Sequence, residues 1–231
     1  MTELQYLRDT YLFRSGAKIV EIAQNEHGTY IVLDRTIFYP QGGGQPSDIG
    51  TISNQSGVFQ VGSVRIDERG MVYHYGEFML GSLKKKETVD ILIDEVVRIT
   101  NARNHSAGHL IDVAMKQIGL NHLVATKGYH FPEGKYVEYS GVLKEAPDVV
   151  IARLEQTLSD LRERNIPVRV TCDPVGIKAP GGKSPRYVAF EGHEGCGCGG
   201  THVRSSAEIG TILIRKIKSR DGAIRVSYSV E

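Results

Sequence analysis

Two widely separated pairs of metal-ligand side chains constrain this chain more than any other feature. A fold that uses both pairs has to bring residue 105 beside residue 200. His105 and His109 stand in RNHSAGHL, and Cys198 and His202 stand in CGCGGTHV. Each pair is spaced i, i+4. Together they supply three imidazoles and one thiolate, a borderline-soft set that suits zinc. With 8 histidines in 231 residues, chance alone supplies an HxxxH about 0.3 times, so the context has to carry the assignment. Residues 96–119 read as a helix, with Val97, Ala102, Leu110, Ala114 and Ile118 on an apolar side and Gly119 as a C-terminal stop. Positions i and i+4 share one helix face, so His105 and His109 can reach one ion. Gly199 and Gly200 interrupt the second pair, which is expected to form a turn whose bare backbone approaches a metal or a ligand closely.

The residues to about 95 are strand-like. AKIVEIAQ, GTYIVLDR, GTISNQ, FQVGSVRID, GMVYHYG and ETVDILID are short β-branched runs divided by Gly, Asn and Asp, and their spacing predicts a small barrel or sandwich. After the His-bearing helix, KGYHF and KYVEYSGVL predict a hairpin around PEG. Residues 147–165 predict a second helix with Val150, Leu154, Leu158 and Leu161 on one side. IPVRVTC, RYVAFEG, GTILIRKIKS and AIRVSYSV predict strands, and residues 181–185 a loop. The expected fold class is α+β: an N-terminal small β-barrel over 1–95, then an α+β domain over 96–231 with a mainly antiparallel sheet and packed helices.

The second conspicuous motif is FYPQGGGQPSDIG. Gly42, Gly43 and Gly44, followed by Gln45 and Asp48, can present backbone N–H groups to a phosphate or to RNA, or simply form a tight inter-strand turn. The loop lacks the GK[ST] of a Walker motif and no helix follows it, so ATP is not an expected ligand. Cys196 is an alternative thiolate, but a CxC pair on one ion is strained beside a CxxxH. Cys172 reads as a small core residue in a strand, and His130 and His193 as isolated structural or solvated histidines. Arg215, Lys216, Lys218, Arg220 and Arg225, with Lys84, Lys85 and Lys86, form either a solvated face or a track for a phosphate backbone.

A net charge of +1 does not advertise nucleic-acid binding, so any RNA contact must come from local patches. Three cysteines, two of them two residues apart, argue against a disulfide framework and for a reducing cytoplasm. The start MTELQYLRDTYLF has no apolar h-region, and no run approaches the length of a membrane span. HExxH is absent, which counts against a zinc protease. The residue chemistry by itself leaves open a zinc hydrolase acting on a small ester or amide and a non-catalytic RNA-binding module with structural zinc.

FYPQGGGQPSDIG, RNHSAGHL and CGCGGTHV, in this order and at these separations, resemble the free-standing alanyl-tRNA editing proteins, the AlaX family, which are similar to the editing domain of alanyl-tRNA synthetase. The resemblance covers nearly the whole chain. It implies hydrolysis in trans of tRNA(Ala) charged with serine, and with glycine, and makes one zinc ion the expected cofactor. It implies His105, His109, Cys198 and His202 as the zinc ligands. Thr126, in ATKGYHF, falls where the family places a polar residue that inspects the amino acid. Gly42, Gly43, Gly44, Gln45 and Asp48, with Lys127, form the expected substrate or RNA contact set.

Overall fold

The alternation in the first part of the chain closes into a barrel. A computed structural model describes residues 1–172, 186–220 and 222–231. In chain order the first elements are β1 (Glu3–Leu4), β2 (Arg14–Asn25), β3 (Gly28–Leu33), β4 (Arg35–Thr36), β5 (Gly50–Asn54), β6 (Gly57–Ile66), β7 (Val72–Gly81) and β8 (Thr88–Ile93). β1 and β4 form a short parallel pair. The barrel runs β2-β3-β7-β6-β5-β8, with every neighbouring pair antiparallel and β2 closing on β8. Closure leaves no unpaired strand edge. Strict alternation in TVDILI puts Val89, Ile91 and Ile93 inside and their neighbours outside. They pack with Ile19, Ile31, Phe38, Ile52, Phe59 and Val72 in one apolar core. Register shifts at Ile19/Glu21, Val58/Phe59 and Val61/Ser63 mark bulges, which bend strands enough for so small a barrel to close.

The helix α1 (Glu95–Gln117) follows. The Asp94 carboxylate accepts the Val97 N–H at 2.9 Å and caps its first turn. At the other end Gly119 adopts φ +85°, and the Leu120→Met115 and Gly119→Lys116 backbone bonds complete a Schellman stop. The chain divides into two units within α1, at Thr100/Asn101. Gly43–Gln45, although early in sequence, belongs to the second unit. One loop therefore contributes to both units, in keeping with the close backbone approach that its three glycines permit.

The second unit continues with β9 (Val124–Tyr129), β10 (Tyr136–Ser140), α2 (Pro147–Glu163), β11 (Val168–Cys172), β12 (Arg186–Phe190), β13 (Cys196–Gly197), β14 (Ile212–Arg220) and β15 (Ala223–Val230). A four-stranded sheet runs β14-β15-β10-β9 and a three-stranded sheet runs β11-β12-β13, all antiparallel. Leu110, Ile111 and Ala114 of α1 and Leu154, Leu158 and Leu161 of α2 share a core with Val137, Ile214, Ile217 and Val226. The α+β expectation holds, with a second sheet added: its two-residue strand Cys196–Gly197 is too short to leave a period-2 signal. Residues 181–185 and the Cys172 side chain lie outside the described residues. Among the described residues, no helix is long and apolar enough to cross a membrane.

Candidate metal centre

The two pairs of ligand side chains meet. His105 and His109 project from one face of α1, and Cys198 and His202 from the extended segment after β13. One ligand atom from each lies within 4.8 Å of all the others. Cys198 Sγ is 3.4 Å from His105 Nε2 and 3.3 Å from His202 Nε2. His109 Nε2 is buried and has no hydrogen-bond partner among the described residues. A buried polar atom left this way costs stability unless something binds it, and three imidazoles with one thiol are a zinc-type donor set. The residues present fit that ion.

The nitrogens on the far side of the rings are each held. His105 Nδ1–H donates to Gln45 Oε1 at 2.8 Å, which leaves the Nε2 lone pair facing the cluster. His202 Nδ1 meets Ser106 Oγ at 3.3 Å, and His109 Nδ1 meets the Cys196 thiol at 3.6 Å. Gln45 is itself fixed by Thr201, taking its N–H at 3.1 Å and donating to its hydroxyl at 2.9 Å. Gln45 was expected at the substrate or RNA. It is instead fully buried, with its amide spent on His105 and Thr201. Cys196 was weighed as an alternative ligand. It falls outside the four-donor group and sits behind His109.

The turn that carries Cys198 has no room for side chains at one point. A Cβ on Gly200 would lie 2.2 Å from His105 Cε1 and 2.3 Å from Nδ1, so the expected close backbone approach is to a ligand ring. Buried Arg186 pins the turn, donating to the Cys198 and Gly200 carbonyls at 2.8 Å each. Neither Arg186 nor Ser106 carried a sequence signal.

Burial, reinforced by the neighbouring imidazoles, holds His105 and His202 well below the ordinary histidine range, and burial takes His109 down to about 4. The rings are therefore neutral near pH 7, as metal ligation requires. Burial raises the Cys198 thiol, partly offset by the Gly200 N–H at 3.4 Å, so a bound cation would have to drive its ionisation.

His130, expected to be isolated, stacks on His105 at 4.5 Å between centroids. Its Nδ1 donates to Tyr228 Oη at 2.7 Å, and the Tyr228 hydroxyl donates in turn to the Asn104 carbonyl at 2.7 Å. The second unit also holds a cavity of about 490 Å³ whose wall includes His109, Asp112, Met115, Tyr139, Phe190 and Cys196.

The remaining expected site residues divide. Gly42, Gly43 and Lys127 are exposed. Gly44 presses against β9, its carbonyl accepting the His130 N–H at 2.8 Å. Asp48 lies in the other unit, fully buried in an ion pair with Arg98, and accepts the Tyr39 N–H at 2.6 Å. Its role there is to hold the barrel unit together, not to face solvent. Thr126 is exposed on β9 at a bulge, where Lys127 pairs with Glu138 and Ala125 with Tyr139. Its hydroxyl donates to the Glu138 carbonyl at 3.1 Å.

Fold and donor set together define a class: a closed β-barrel unit on one chain with an α+β unit that carries a metal-competent His₃Cys centre beside a cavity. A family model described as tRNA synthetases class II (A) matches residues 3–97. An alanyl-tRNA editing protein AlaX-M from Saccharolobus solfataricus is 30% identical over 243 residues, covering 100% of both chains. An AlaX-L from Pyrococcus horikoshii is 28% identical, covering 99% of this chain and 58% of that one. An alanine–tRNA ligase from Korarchaeum cryptofilum is 33% identical, covering 99% of this chain and 26% of the ligase. The chain belongs to the AlaX family of alanyl-tRNA editing proteins. It spans about a quarter of the ligases and somewhat over half of the AlaX-L that it matches.

Proposed function

We propose that the chain is an aminoacyl-tRNA deacylase acting in trans on tRNA(Ala) mischarged with serine, with glycine as a second substrate. One zinc ion is held by His105, His109, Cys198 and His202. The observation that carries this reading is the convergence of those four donors within 4.8 Å on a chain of the AlaX family. Zinc in such a set supplies Lewis acidity to an ester carbonyl or to a water. An aminoacyl ester is already activated, so the protein's task is chiefly positioning and charge stabilisation.

The residues divide that task. Gln45, Ser106 and Cys196 fix the three rings from behind. The cavity beside His109, largely apolar in its wall, takes the aminoacyl group. By the family resemblance the side chain is read by Thr126, next to the cavity residue Ala125 on β9, its hydroxyl oxygen free to accept a seryl O–H while its own proton stays on Glu138. A site that bonds a hydroxyl rejects the analogue lacking it, which spares correctly charged alanine. Lys127 and the exposed Gly42–Gly43 backbone contact the RNA. The test is release of labelled amino acid from Ser-tRNA(Ala) and Ala-tRNA(Ala) by zinc-loaded protein. Selective release of serine is expected. Comparable rates on both, or none on either, refute the proposal.

A further inference from the structure

Asp112 is a buried acid in the cavity wall whose chemistry the ligand set does not explain. It stands three residues after His109 on α1, so the two side chains are neighbours on one helix face. Its Oδ1 accepts the Tyr139 hydroxyl at 2.6 Å, and Tyr139 is itself buried. Among the described residues no cation lies within ion-pair distance of it. Lys116, one turn further along α1, is engaged by Glu194 at 2.6 Å. The surrounding wall is largely apolar, with Val113, Met115, Leu123, Val188 and Phe190. A carboxylate in such a wall is costly when ionised and only partly offset by Lys116, so it suits a ligand that brings a cation.

We infer that Asp112 binds the α-ammonium group of the aminoacyl ester. This rests on the deacylase reading and names a subsite within it. Every aminoacyl-tRNA carries a cationic amino group two bonds from its ester carbonyl carbon. An ester placed at His109 therefore puts its ammonium within reach of a carboxylate one helical step away. Burial of Asp112 holds its pKa up at about 6, consistent with a group whose partner arrives with the substrate. The subsite recognises what all aminoacyl esters share, while discrimination between amino acids falls to other residues. It also predicts that esters lacking a free amino group are poor substrates.

The experiment pairs a protein change with a substrate change. Zinc-loaded wild type and Asp112→Asn are assayed on Ser-tRNA(Ala) and on its N-acetylated form. Wild type should favour the free-amine substrate in kcat/KM by about 10- to 100-fold, the range for a charged hydrogen bond in a desolvated site. Asp112→Asn should lose most of that preference, with unchanged zinc content, and Asp112→Glu should recover part of it. In parallel, binding of 3′-deoxy-3′-seryl-amidoadenosine and its N-acetyl derivative is measured by calorimetry. Only the free-amine compound should bind more weakly to Asp112→Asn. A preference retained by Asp112→Asn, or equal losses on both compounds, overturns the inference. Wild type that releases serine from neither substrate refutes the deacylase reading instead, and the calorimetry then decides on the ammonium subsite alone.

Discussion

Gly44→Ala tests whether the early glycine loop is part of the metal centre. Gly44 has φ +75°, where an L-residue costs about 1–2 kcal/mol. The added methyl would also lie 2.2 Å from the Gly128 carbonyl oxygen and 2.8 Å from its carbon. That carbonyl belongs to β9, which is bonded to β10, so it has little freedom to move. The loop must shift instead, and the next residue is Gln45. A shift of about 1 Å breaks the amide's bonds to His105 at 2.8 Å and to Thr201 at 2.9 and 3.1 Å, given the steep distance dependence of hydrogen bonds. With each bond worth about 1 kcal/mol net, the total destabilisation is about 3–5 kcal/mol. Freeing a ligand's outer nitrogen should also weaken metal binding by about 10- to 100-fold.

The assays are thermal unfolding and competition for zinc against a chelator at fixed pH. Gln45→Leu separates the two effects, removing the amide without pushing on β9. It should lose the metal affinity and less of the stability. Gly43→Ala, at an exposed position with φ +53°, should cost only the backbone strain. A Gly44→Ala protein with wild-type stability and wild-type zinc affinity would refute the account of this loop.

Four further outcomes are expected. Asp48→Ala leaves Arg98 charged and buried, and should cost the protein about 3–5 kcal/mol in denaturant unfolding. Cys198→Ala should bring zinc well below one per chain by elemental analysis, whereas Cys196→Ala, which removes only a 3.6 Å contact behind His109, should lower affinity by about 10-fold or less. Thr126→Val should slow serine release by about five- to thirty-fold and glycine release less; equal losses would assign the residue to closing its bulge on Glu138. Burial holds the folded Asp112 pKa at about 6 against 3.8, so its contribution is fully present below pH 3.8 and is lost as pH rises through 6. Asp112→Asn, in metal-free samples, should therefore be more stable than wild type by about 2–3 kcal/mol at pH 8, with the gap closing towards pH 4; an unchanged or lower Tm at pH 8 would count against it.

What sequence made legible follows from the range over which each signal acts. The barrel strands show in a two-residue period, because each has one wet and one dry face: TVDILI alternates and its side chains alternate. The metal donors show because i, i+4 on a helix is a local geometry, and because GGTH can only be a turn. Gln45 does not show as a ligand orienter. Its partners lie 60 and 156 residues away, and its type is equally at home on a surface facing RNA. Asp48 misleads for the same reason, since an acid in a glycine loop gives no sign of a buried arginine 50 residues on.

Asp112 is a different case, because its signal was local. Residues 105, 109, 112 and 116 lie on one side of α1, and the acid continues the row that the two histidines begin. An acid there reads as an ordinary solvated helix residue until the opposite wall is known. Tyr139 on β10 and Phe190 on β12 turn that helix face into the side of a cavity. The sheets thus do more than bury the helices. They convert a polar helix row into a graded site, with neutral imidazoles at one end and an only partly compensated carboxylate at the other. On the proposed function, that polarity would give an incoming aminoacyl ester one favoured orientation, carbonyl towards the imidazoles and ammonium towards the acid. If Asp112 binds the ammonium group as inferred, the destabilising carboxylate trades fold stability for the orientation of the ligand.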